Sequence, residues 1–192
     1  MRLTVILFAV AACAAYAQTP SSTPPAAGLE PAWDIAVVVQ EIGVHAGRLL
    51  PVLDQLDAPG WVTKKASDTY VEQLETCKQQ VRAINSEAAA LARNPEKLAG
   101  ALQLFFRMEW VANTIVSLED GARKYQDQGQ QLSQSLAALF AEGDTNRGRF
   151  RNYIINLASE RDHQFEVMDR EAQRCRATLV APTPPKTSGR KK

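Results

Sequence analysis

One apolar seam runs from Ala101 to Leu139 through Leu104, Met108, Val111, Ile115, Leu118, Ala122, Tyr125, Gly129, Leu132 and Leu136, in alternating steps of three and four. An α-helix puts residues at those steps on one face, whereas a strand would scatter them over both. A chain dominated by such a seam has to bury it against other helices. The spacing therefore predicts an all-α antiparallel four-helix bundle with coiled-coil-like packing, this segment being one long third helix. A second apolar face, Leu98, Leu102, Phe105, Ala112 and Val116, marks only its first half, which is expected to be covered on two sides.

Three other stretches keep the same period. The first helix is expected from about Asp34 to Leu56, with Ile35, Val38, Ile42, Ala46, Leu49, Leu53 and Leu56 on one stripe. Pro51 should kink it by removing the bond to the Gly47 carbonyl, while Gly43 and Gly47 leave a bare flank for close approach of another backbone. Asp57-Ala58-Pro59-Gly60 has turn chemistry, and a second helix then runs to about Arg93 along Tyr70, Leu74, Cys77, Val81, Ile84, Ala88 and Leu91. Asn94 is expected to cap the third helix, with Pro95 at its first position. Glu142-Gly143-Asp144-Thr145 is read as the next turn, and a fourth helix follows to about Leu179 with Phe150, Ile154, Leu157, Phe165, Met168, Ala172 and Cys175 on its seam. Arg161 shares that stripe and is expected to reach the rim or pair with an acid.

The two ends have a different composition. Arg2, the apolar run Leu3 to Ala14 and the small-x-small Ala15-Tyr16-Ala17 predict a signal peptide over 1–17 and a mature start near Gln18. That run falls short of the roughly 20 residues that a spanning helix needs. Val10-Ala11-Ala12-Cys13 offers a rival reading, since it resembles a lipoprotein lipobox; only lipidation at Cys13 would then tie the chain to a membrane. Residues 18–32 and the basic tail 181–192, with Lys186, Arg190, Lys191 and Lys192, are too poor in apolar side chains to order themselves. The organisation expected is thus a signal peptide, a linker, a bundle over 33–180 and a tail, in a protein exported to the periplasm or beyond.

Counting outward from the expected turns places Cys77 level with position 112 of the third helix and Cys175 level with about position 114. A Cys77–Cys175 disulfide is therefore predicted, worth roughly 4 to 5 kcal/mol in the loop-entropy account. Two buried thiols are the alternative. The same counting leaves residues 127–163 either projecting as a helical hairpin or folding back through Gly121 or Gly129. A projecting hairpin would expose Leu132, Leu136, Leu139, Phe140, Phe150, Ile154 and Leu157 as an interaction surface.

Recognisable chemistry is sparse. A formal charge of +1 gives no field to hold nucleic acid. Glu160 and His163 make the only Glu-x-x-His pair, Glu41 and His45 lie a turn apart, and a di-iron bundle needs two such pairs with further carboxylates. No nucleophile elbow, phosphate loop or His-Glu-x-x-His occurs. Phe105, Phe106 and Trp110 read as core, and Trp33 and Trp61 as closing the ends of the first helix. The expectation is a non-enzymatic exported bundle without a cofactor, acting on an unknown protein partner or on copies of itself, with a small-molecule- or metal-binding bundle as the alternative.

Overall fold

A computed structural model describes residues 31–180. The expected signal peptide 1–17, Cys13, nearly all of the linker 18–32 and the basic tail lie outside the described residues. The chain is an all-α bundle of α1 (Ala32–Gly47), α2 (Leu50–Leu53), α3 (Ala58–Thr63), α4 (Thr69–Leu91), α5 (Leu98–Tyr125), α6 (Gly129–Glu142) and α7 (Asp144–Val180), with no strand among the described residues.

Local chemistry divides the first two expected helices. Pro51 cannot donate to the Gly47 carbonyl, so the chain tightens instead: Arg48 and Leu49 donate their N–H groups three residues back, to His45 and Ala46, and Pro51 sits in the first turn of the separate α2. Asp57 caps α3 by accepting from the Gly60 N–H at 3.0 Å. The end of α3 is a six-residue wrap in which Ala66 donates to Trp61 and Lys65 to Val62. That wrap holds Lys65 at φ 72°, in the left-handed region that favours glycine. Lys65→Gly is therefore expected to stabilise the fold by about 0.5–1 kcal/mol, read as a rise in the urea midpoint.

α1, α4 and α5 pack against one another along the seams read from the sequence. Gly43 lies so close to α4 that an added Cβ would stand 3.0 Å from the Cβ of Ala88, which is the close approach expected of that bare flank. The tight turn after α4 is where the sequence places it, although α5 begins at Leu98, without a side-chain cap from Asn94. Arg107 of α5 grips the Glu87 carboxylate of α4 through two 2.8 Å bonds. Ile35, Val39, Leu53, Leu74, Cys77, Val81, Leu104, Ile115 and Leu118 fill the space between α1, α2, α4 and α5. The stretch Ala32–Leu53 is long and apolar enough to cross a membrane by length and composition, but Ile35, Val38, Val39, Ile42, Leu49 and Leu53 are spent on this core.

The third and fourth helices depart from the reading. The expected single third helix is broken at Gln126–Gln128, where Gln126 turns extended (φ −114°, ψ 137°) and α6 folds back along α5. Of the two courses open to residues 127–163, folding back at Gly129 is the one taken. The reversal is held by Gln126, whose amide oxygen accepts from the Asp57 N–H and from Trp61 Nε1 at 3.0 Å, and whose amide nitrogen donates to the Gln55 carbonyl. Gly143, expected to be a hairpin turn, has φ −82° and ψ −5°, so it only interrupts one long course made of α6 and α7. Nε2 of His45 meets the Leu139 carbonyl that this interruption frees, and the Arg147 guanidinium lies 3.7 Å from the centre of the Phe140 ring.

Candidate interaction surface

The fold-back decides the fate of the residues expected to form an interaction surface. Leu132, Leu136, Phe150, Ile154 and Leu157 are buried in the chain's own core, and Leu139 and Phe140 are half-buried against it. They are not the exposed hairpin surface that was expected, because α6 and the first half of α7 lie along α5 and α1, which supply the missing cover. Tyr153, which periodicity did not single out, joins them as one of the largest fully buried side chains.

The same shift separates the cysteines. Both are free thiols, Cys77 buried and Cys175 exposed, so the predicted disulfide is not formed. With the reversal near position 127 instead of 143, antiparallel counting puts Cys175 beyond the start of α5, displaced from the level of Cys77 by roughly 50 Å at 1.5 Å per residue. Desolvation pushes the Cys77 thiol up to about 12, so it stays protonated in the fold. Folded protein at pH 8 is expected to take a maleimide at Cys175 and not at Cys77, with Cys77 labelled only after denaturant is added; peptide mass mapping reads both. The linkage has a definite sign: the folded thiol releases its proton later than the unfolded one, so stability falls as pH rises between about 9 and 12. Cys77→Ala should remove that part of the slope.

What lies uncovered is elsewhere. Arg161 reaches Glu96 at the end of the bundle, 3.8 Å between guanidinium and carboxylate, which fulfils the expected pairing with an acid. Past that contact α7 runs on to Val180, roughly 30 Å of helix in which no side chain is buried among the described residues. Phe165, Met168 and Leu179 are 69%, 62% and 86% exposed there, and with Ala172 and Cys175 they form one stripe at steps of three and four. A projecting helical element thus exists, but it is this C-terminal arm and not a hairpin. Further exposed groups occur on the outer faces of α1, at Trp33, Val37 and Val44, and of α5, at Phe106, Trp110 and Val116. Trp33 therefore does not close the end of its helix, and Phe106 and Trp110 are not core, whereas Trp61 is buried against Tyr70 with the rings 5.5 Å apart.

The histidines and the acids paired with them in the sequence all lie among the described residues. No three His, Cys, Asp or Glu side chains converge there. His45 is engaged with the Leu139 carbonyl, Glu41 accepts from Asn146, and Glu160 accepts from Gln164 on its own helix. The apolar cavity beside His45, lined by Ile42, Leu49, Met108 and Phe140, has about 40 Å³, far below the several hundred that an organic ligand fills. The hollow of about 450 Å³ around Trp61, Lys64, Gln126 and Asp127 is partly open to solvent. Comparison of the chain with known protein families, curated proteins and solved structures finds no match.

Proposed function

We propose that this protein acts by contact and not by catalysis: an exported bundle that carries a rigid amphipathic arm, the part of α7 after Arg161, as its docking element. The exposed Phe165, Met168 and Leu179 stripe on that arm carries the reading. An isolated helix in water draws little stability from propensity alone, and most helices are held by the packing of an apolar face. An arm with such a face and none of the described residues beneath it has the composition of half an interface. The first half of α7, anchored by Phe150, Tyr153, Ile154 and Leu157, fixes its direction.

Export rests on the signal-peptide pattern of the first residues and is tested by intact mass: cleavage near Gln18 supports it, and a retained Met1 in the purified protein refutes it. The contact reading is tested by affinity capture from the cell envelope with the full chain and with Phe165→Glu/Met168→Glu. Loss of what the full chain retains, in a protein with an unchanged melting temperature, supports the arm as the working surface. Identical capture by both proteins sinks it.

A further inference from the structure

We infer that the arm's partner is the arm of a second copy of this chain, lying antiparallel to it about a two-fold axis. This rests on the reading of the arm as the docking element and adds its occupant. The face that α7 buries in its own bundle and the face that the arm exposes are the same face. Ile154 and Phe165, Leu157 and Met168, and Arg161 and Ala172 are each eleven residues apart, which is three turns of an α-helix. The exposed stripe therefore overhangs the end of the bundle on the bundle's own side.

That geometry selects the orientation. A parallel second copy would need its α7 and its bundle where the first copy's bundle already stands. An antiparallel copy sets its bundle beyond the far tip of the arm, and each arm then occupies the empty space beneath the other. Charge selects the same orientation. The base of the arm carries Glu160, Asp162, Glu166 and Asp169 against Arg161 alone, a net of −3, whereas Arg170, Arg174 and Arg176 against Glu171 give the tip a net of +2. Antiparallel pairing lays acidic base along basic tip twice, and a parallel pair would set like against like. Neither Asp162 nor Arg176 has a partner within the chain among the described residues, and the antiparallel register brings each to within about 3 Å, along the arm, of the level of the other's counterpart in the second copy. In that register Phe165 and Met168 of one copy pack against Cys175 and Ala172 of the other, and the contact closes on itself without propagating.

The test uses the full mature chain at about 100 μM, some hundred-fold above a micromolar Kd. Sedimentation is expected to give twice the chain mass for the wild type and the single-chain mass for Phe165→Glu/Met168→Glu. Orientation is read with oxidised glutathione, which accepts the electrons and protons of two thiols and leaves as two reduced glutathiones. Phe165→Cys should form a covalent dimer through Cys175 of the partner subunit, while the wild type, whose two Cys175 thiols lie roughly 15 Å apart along the arms, should not. A wild-type dimer cross-linked Cys175 to Cys175 would overturn the antiparallel arrangement. A wild type that stays monomeric would overturn the inference altogether; if the double substitution still abolishes capture, the arm remains the docking element for a different protein, and if it changes neither mass nor capture, both readings fall.

Discussion

Gly129→Ala is expected to lower the stability of the fold by about 3 kcal/mol, a drop of roughly 6–12 °C in Tm for a chain of this size. A Cβ on residue 129 would stand 1.8 Å from the Ala122 carbonyl oxygen and 2.3 Å from its carbon. Both are backbone atoms in the last turn of α5, so no side-chain rotation relieves the overlap and the reversal itself has to open. Opening it pulls on Gln126, and with it on the three hydrogen bonds that tie the reversal to Gln55, Asp57 and Trp61. Gly148→Ala is the matched control, because a Cβ there meets nothing within 4 Å and the residue lies inside α7. Alanine should stabilise that position by about 0.5–1 kcal/mol, since it costs less backbone entropy in a helix than glycine. Thermal melts of the two variants should move in opposite directions; equal shifts would mean that Gly129 is not wedged against α5.

The position of this reversal also explains which parts of the fold could be read from the sequence. Helical period identifies the face that a residue presents, so Leu74, Val81, Leu104, Ile115 and Leu118 are buried as their spacing predicts. Period does not say whether the rod carrying that face runs straight or doubles back. Leu132 and Leu136 keep the three- and four-residue spacing of Leu118, Ala122 and Tyr125 whether the rod runs on or doubles back, so the seam passes through Gln126–Gln128 unbroken although the helix does not. The polar run Gln126-Asp127-Gln128 before a glycine was the available signal, and Gly143 competed with it because Glu-Gly-Asp-Thr has the stronger turn chemistry. Antiparallel register doubles such an error: a turn displaced by sixteen residues shifts every later pairing by thirty-two. Such a shift puts Cys175 opposite Cys77 and moves the uncovered surface from Phe165 through Leu179 to Leu132 through Leu157. The seam of α7 itself was legible throughout, and only the level at which the bundle beneath it ends was not.

Phe150 and Phe165 make that last distinction measurable, because they occupy one stripe of one helix and differ in what lies beneath them. Phe150→Ala is expected to destabilise by about 3–5 kcal/mol, since its ring is wholly buried between α7 and the body of the bundle and its removal leaves a cavity. Leu136→Ala, on α6 and equally buried, should cost about 2–5 kcal/mol. Phe165→Ala should stay within roughly 0.5 kcal/mol of the wild type in dilute solution, where no second copy covers the arm. Urea melts followed by circular dichroism read all three, and a shallower arm transition before the main one would not disturb the comparison. Should Phe165→Ala cost as much as Phe150→Ala in dilute solution, the arm would have to be folded against its own bundle, and no face would be left to dock. The predicted inequality is therefore the physical condition for function at the arm: the same amphipathic stripe supplies folding energy as far as Leu157 and, from Phe165 onward, holds that energy for a contact made with another molecule.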